Sequence, residues 1–190
     1  MNRSLTGWRK TALYARIAVH VAWHYLLRPA HFRYSPGRYL RFLLRALRLL
    51  LIFRHNKPVR LGDRTKLHLY LPAYPTAAFF RAIETKLLRT PPGAVTVVYS
   101  MTRACRYHCP HCYQKRDKGH DLDEALLIET ARKIRDTGTC LFDIEGGEPL
   151  LRFDRLLRLV ESLGNEVEVW VNTTGDKLGK GMLESLRDAG

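Results

Sequence analysis

Between Val95 and Gly190, short β-rich runs alternate three times with amphipathic helical stretches, and this order constrains the fold more than any other feature of the chain. Val95 to Met101 is the first run, dense in β-branched and aromatic residues. The helix that follows opens on a D-x-x-E capping pattern, Asp121 and Glu124, and its end is marked by Gly138. Cys140 to Glu145 reads as the second strand. Phe153, Leu156, Leu157, Val160 and Leu163 form the apolar face of the second helix, closed by Gly164. Val167 to Asn172 is the third strand, and Gly181 to Leu186 begins a third helix. Strands alternating with helices imply a parallel sheet with right-handed crossovers, an α/β fold. A complete barrel of this kind takes about 250 residues and eight units, so three units predict a partial (β/α) barrel. Its third strand would leave an uncovered edge, and the chain therefore reads as the amino-terminal part of a longer protein.

Upstream, Leu67 to Leu71 alternates as a short strand, and Thr76 opens a helix carrying Ala77, Phe79, Phe80, Ile83, Leu87 and Leu88. Pro91, Pro92 and Gly93 form the clearest break. The expected organisation is a basic helical segment at 1–60, a strand-helix lead-in at 61–93 and the α/β domain at 94–190.

Charge separates the same regions. Residues 1–60 hold 13 of the 32 Lys and Arg and no Asp or Glu; the other 130 residues carry 19 basic and 18 acidic side chains, a balance of +1. A near-neutral body gives no electrostatic reason to expect nucleic acid as its partner. With 46% hydrophobic residues the chain can bury a core, and four cysteines in 190 residues are too few for a disulfide scaffold.

Two apolar stretches in the basic segment fail as membrane spans, which need roughly 20 mostly uncharged residues. Thr11 to Leu27 carries Arg16, His20 and His24, with Arg28 one step further on the same stripe. Leu40 to Phe53 carries Arg41, Arg45 and Arg48 opposite a Leu, Phe and Ile surface. Both read as basic amphipathic helices, separated by Pro29, Pro36 and Gly37. Such helices can pack on the body, lie on an anionic membrane surface, or meet RNA or another partner. His20 and His24 have H-x3-H spacing with no third ligand nearby, so a solvated or snorkelling face is the expectation. The lack of acids also resembles an organelle transit peptide, although the segment is long for one, and no secretory cleavage pattern is evident.

The chemistry concentrates in the first strand-to-helix loop, Cys105-Arg106-Tyr107-His108-Cys109-Pro110-His111-Cys112, with C-x3-C-x2-C spacing. Three thiols in eight residues, at the carboxyl end of a parallel strand, can wrap one compact metal centre where such folds place their sites. Zinc with His108 or His111 as fourth ligand is one reading. A four-cysteine cluster using Cys140 is another. Cys140 begins the second strand on the side of Phe142 and Ile144, at the far end of the sheet and facing the helices, which suits a small buried hydrophobe better than a ligand. Three thiolates on a four-iron cluster would leave one iron for a cofactor.

The spacing of Cys105, Cys109 and Cys112 directly after a strand, with Gly146-Gly147-Glu148-Pro149 at the end of the next, resembles the radical S-adenosylmethionine (SAM) superfamily, over roughly Val95 to Gly190. The resemblance implies a partial barrel of radical SAM type. It implies that the three cysteines hold three irons of a [4Fe-4S] cluster while SAM chelates the fourth. It also implies reductive cleavage of SAM to a 5′-deoxyadenosyl radical that abstracts hydrogen from a substrate, with electrons from a reductant such as a flavodoxin or ferredoxin. His111 stands where relatives carry an aromatic residue near the adenine, and an imidazole can still stack. In the family the stretch Gly146, Gly147, Glu148 and Pro149 binds the methionyl ammonium. Glycines without Cβ let backbone carbonyls approach a ligand, and Pro149 fixes the turn.

Strand alternation points Leu141, Asp143 and Glu145 away from the helices, into the barrel, together with Glu168, Trp170 and Asn172. Asn172, Thr173 and Thr174 resemble the polar strand end that relatives place near SAM, and Asn172 is the expected contact. Tyr113 and Gln114 border the cluster or are solvated loop residues. The expected location is the cytoplasm, with the basic segment as the element that would meet a membrane surface.

Overall fold

The computed structural model describes residues 3–26, 36–89, 93–116 and 119–190. Arg28, Pro29, Pro91 and Pro92, used above, lie outside them. The chain divides into two compact units, Met1–Val95 and Thr96–Gly190.

In the first unit, β1 (Arg3–Ser4), β2 (Val59–Leu61) and β3 (Arg64–Lys66) form a small antiparallel sheet. The pairing of Leu61 with Arg64 makes a two-residue hairpin, and Gly62 supplies its positive φ of 60°. The boundary expected at residue 60 falls inside this hairpin. Three helices complete the unit: α1 (Gly7–Leu26), α2 (Pro36–Phe53) and α3 (Ala77–Ile83), the last running into a π-helical turn over Glu84–Leu88. Thr76 caps α3 as expected, accepting from Phe79 N at 3.1 Å. The strand expected over Leu67 to Leu71 is instead a turn, with Leu71 N donating to His68 O. It buries Leu67 and Leu71 and exposes Leu69 between them, whereas a half-buried strand would place all three on one face.

Two expectations for the basic segment change. His20 and His24, expected on a solvated or snorkelling face, are half-buried against aromatic side chains. His20 Nδ1 lies 2.9 Å from the Tyr74 hydroxyl, and His24 stacks on Phe80 with ring centroids 4.7 Å apart. Helix α2 buries Phe42 and half-buries Arg45, Ala46, Leu49 and Phe53. Arg45 Nη1 donates to Leu87 O at 3.1 Å and Arg89 O at 2.7 Å. The leucine surface of α2 lies on the other side and is exposed.

The second unit is a parallel sheet in the order β4-β5-β6, formed by β4 (Thr96–Thr102), β5 (Leu141–Gly146) and β6 (Glu168–Val171). Helices α4 (Glu124–Asp136) and α5 (Phe153–Leu163) are the crossovers, and α6 (Lys180–Ala189) follows β6. Tyr99, Met101, Phe142 and Ile144 from one sheet face form one core with Leu127 and Ala131 of α4 and Leu156, Leu159, Val160 and Leu163 of α5. Val169, Val171, Leu186 and Ala189 pack against it. Each large side chain sealed there contributes about 1.5–3 kcal/mol. All three helices therefore cover the same face. The other face carries Val98, Ser100, Asp143, Glu145, Glu168 and Trp170, none of them buried. The alternation expected for Cys140 to Glu145 holds from Phe142 onward, whereas Leu141, expected on the open face with Asp143 and Glu145, is only 1% exposed. In β6 all four residues are half-buried, with Val169 and Val171 packing on the core as expected.

Candidate functional site

The site is built where β4 and β5 end. Strand β4 stops at Thr102, and a long loop runs from Arg103 to Asp123 before α4. Its two ends are tied by Asp121, whose Oδ2 accepts from Thr102 Oγ1 and whose Oδ1 accepts from Arg103 N, both at 2.7 Å. The helix cap expected at Asp121 belongs to Asp123, which accepts from Ala125 N and Leu126 N. Burial pushes the Asp121 carboxyl up, but the bonds from Thr102 and Arg103 and the charges of Arg155 and Arg152 outweigh it and leave it below the ordinary value.

Within this loop Cys105 is exposed and Cys109 and Cys112 are half-buried, all three as free thiols. Cys112 N donates to Cys109 O at 3.2 Å, and Tyr107 N lies 3.4 Å from Cys105 Sγ. His108 and His111 are exposed. Among the described residues, no three His, Cys, Asp or Glu side chains are drawn together closely enough to hold a metal ion. The loop thus delivers three thiols to one region without converging them. Cys140 lies just before β5, at the opposite end of that strand, and is fully buried. A 3₁₀ turn, Tyr113–Arg116, sets the loop against the sheet: the Tyr113 hydroxyl donates to Glu145 Oε1, and Gln114 Nε2 donates to Ser100 Oγ at 2.7 Å.

The glycines at the end of β5 face this loop. Gly147 N donates to Thr102 O and Glu148 N to Ala104 O, each at 2.7 Å. A Cβ on Gly146, where φ is 144°, would stand 2.3 Å from Thr102 O, and one on Gly147 would stand 2.2 Å from Ala104 O. These glycines closely approach the backbone that leads into Cys105. Pro149 is buried and starts a 3₁₀ turn, Pro149–Arg152, ahead of α5.

Glu148 is 3% exposed and fully engaged by its own chain. Its Oε1 accepts from Leu150 N at 3.1 Å and from the Thr173 hydroxyl; its Oε2 accepts from Thr174 N at 2.8 Å and Thr174 Oγ1 at 2.7 Å. Burial pushes this carboxyl up, and the Thr173, Thr174 and Leu150 donors more than reverse that, holding it below its ordinary 4.5. A depressed carboxylate stabilises fully above its unfolded pKa and loses that contribution as pH falls through the folded value. The clamp between Glu148 and the 173–174 segment should accordingly begin to weaken as pH falls below about 4.5 and open only as it passes the lower folded value, read as a reduced amide protection factor at Thr174. Glu148→Ala should destabilise the chain by about 3 kcal/mol in urea titration, since hydrogen bonds to a charge contribute about 1.5–3 kcal/mol each and do not add. An unchanged midpoint would remove the clamp from the account.

Asn172 continues the ladder, its N donating to Ile144 O at 2.8 Å, and its side chain is exposed. It is Thr173 and Thr174, not Asn172, that reach the glycine-rich end. The Tyr107 hydroxyl is raised chiefly by a hydrogen bond to Asp176, so the cysteine loop also meets the β6–α6 connection. On the open sheet face, burial and then the Glu145 charge raise Asp143, whose Oδ1 is buried without a hydrogen-bond partner. Sequence reasoning missed Asp121 as the loop's tie and Glu148 as a clamp; the polar Thr173 and Thr174 after a strand were the available signal for the second.

A thiol-bearing loop after the first strand of the parallel sheet, joined through its backbone to the glycine-rich end of the adjacent strand, belongs to an α/β protein of the βα-repeat class. The profile of the Radical SAM superfamily matches residues 99–190, and over that region the chain belongs to the radical SAM superfamily. It is 31% identical over 93 residues to the probable GTP 3′,8-cyclase of Archaeoglobus fulgidus, an overlap covering 48% of this chain and 31% of that relative. The family uses a [4Fe-4S] cluster and SAM, and the donor set fits: three thiols on one loop, with the fourth sealed in the core.

Proposed function

We propose that residues 96–190 form the amino-terminal part of a partial barrel in a radical SAM enzyme, with Cys105, Cys109 and Cys112 as ligands of a [4Fe-4S] cluster. The observation that carries this reading is the stitching of 102–104 to 147–148, which joins the thiol loop to the glycine-rich strand end through two backbone hydrogen bonds. When bound, the cluster and SAM supply a 5′-deoxyadenosyl radical on receipt of an electron from a reductant such as a flavodoxin or ferredoxin. The chain's own residues position and shield. Asp121 fixes the loop ends, Tyr113 and Gln114 hold the loop to the sheet, and Gly146, Gly147, Glu148 and Pro149 border the SAM side. Glu148 acts there by holding Thr173 and Thr174, with Asn172 beside them and His111 free to stack on an adenine. The helix-free sheet face, with Asp143 and Glu145, faces the reaction chamber.

A zinc site or a plain electron-transfer cluster is the other reading of the thiols, and the family match does not favour it. The overlap with the cyclase covers 31% of that protein, and no substrate is carried over from it. The test is anaerobic reconstitution with iron and sulfide, followed by SAM and dithionite. The expected result is a brown chromophore, an electron paramagnetic resonance spectrum of the reduced cluster that changes on adding SAM, and 5′-deoxyadenosine. A colourless zinc protein, or a cluster indifferent to SAM, would overturn the proposal.

A further inference from the structure

Helix α2 presents two apolar sides, and only one is used. Phe42, Ala46, Leu49 and Phe53 turn inward, while Leu40, Leu43, Leu44, Leu47, Leu50 and Leu51 form a stripe on the opposite side, from 41% exposed at Leu50 to 59% at Leu40. At 3.6 residues per turn, Arg41 and Arg48 lie along one flank of the stripe, both exposed. A contiguous leucine face left in water marks an interaction surface.

Behind the stripe is a cavity of about 350 Å³ within the first unit, walled by apolar side chains including Ile17 and Val21 of α1, Phe42 of α2 and Phe79 of α3. Leu43, Leu47 and Leu50 belong both to the cavity wall and to the exposed stripe, so the cavity opens on the leucine side. A cavity with such walls takes apolar matter rather than water.

We infer that this unit docks on an anionic phospholipid bilayer, with the α2 leucine stripe in the acyl layer and the cavity mouth opening into that layer. Charge selects this occupant. Residues 1–60 carry 13 basic side chains and no acidic one, a complement to phosphate headgroups and a mismatch to an identical copy of the same surface. Among the described residues no helix is long and apolar enough to cross a membrane, so the contact is one of lying in the surface.

The test is flotation of the full chain with vesicles of phosphatidylcholine alone and of equal parts phosphatidylcholine and phosphatidylglycerol. The chain should float with the anionic vesicles and remain largely behind with the neutral ones. The triple variant Leu40→Glu, Leu44→Glu, Leu51→Glu changes exposed positions that do not line the cavity. It should keep the parent's circular dichroism and melting point and lose at least about tenfold in vesicle affinity. In a second variant, Leu47→Trp, the added indole fluorescence should be quenched by lipids brominated on their acyl chains. The inference is overturned by absence of flotation with anionic vesicles, by equal flotation of parent and triple variant, or by flotation without quenching. It is also overturned if the parent is a dimer that the triple variant dissolves and neither binds vesicles.

Discussion

Serine at Cys105, Cys109 or Cys112 should abolish the reconstituted iron-sulfur chromophore and leave the fold standing. None of the three thiols is buried, and substitutions of that kind change stability by no more than about 0.5 kcal/mol. Each leaves two thiols in a loop that offers no replacement on its own strand end, so bound iron should fall to background in all three variants. Cys140→Ser should do the reverse. It keeps the chromophore, because Cys140 lies at the far end of β5, and costs about 1–2 kcal/mol because a hydroxyl enters a fully buried position. Iron and sulfide per chain, measured beside a thermal melt, separate the two patterns. Full chromophore in any of the three loop variants would end the ligand assignment.

Alanine at Gly147 carries the second large effect. The added Cβ would meet Ala104 O at 2.2 Å and Ala104 C at 2.6 Å, both main-chain atoms with no rotamer to escape into. Relief requires moving the base of the cysteine loop, which breaks the bonds from Gly147 N to Thr102 O and from Glu148 N to Ala104 O. The expected cost is about 3 kcal/mol or more, with reduced iron uptake as the loop loses its attachment. Gly175→Ala is the internal control: its φ is 75° and nothing lies within 4 Å of a Cβ there, so it should lose only the roughly 1–2 kcal/mol of the left-handed conformation. Equal melting points for the two variants would show that the close approach at Gly147 has no energetic weight.

The sheet and its burial pattern were legible because strand side chains alternate with period two. Phe142 and Ile144 against Asp143 and Glu145, and Val167 and Val169 against Glu168 and Trp170, admit only one assignment of faces once helices follow each strand. That argument also put Cys140 out of reach of the loop. Period alone failed where two periods coexist. In the alternation of Leu67 to Leu71, Leu69 should share a face with Leu67 and Leu71, yet it is exposed while they go into the core, because the chain turns between them. In α2 both sides are apolar, so the arginines marked an amphipathic helix without saying which side would be covered. Asp121 and Asp123 are both short acids ahead of a helix; which one caps and which one ties the loop depends on Thr102 and Arg103, 19 and 18 positions before Asp121 in the chain. Glu148 carried a motif meaning, but its donors Thr173 and Thr174 lie 25 and 26 positions further along, a distance at which no local pattern speaks.

The joint between the 102–104 and 147–148 segments is made by main-chain atoms alone. Its vocabulary is therefore peptide units rather than residue names, and Arg103 and Ala104 should tolerate wide replacement so long as their carbonyls stay in line. Proline at position 147 or 148 removes the donor that the joint requires. A library randomised at these four positions should return Ala104 and Arg103 open to most side chains, Gly147 fixed, and proline missing from 147 and 148 and also from 103, whose N–H donates to Asp121.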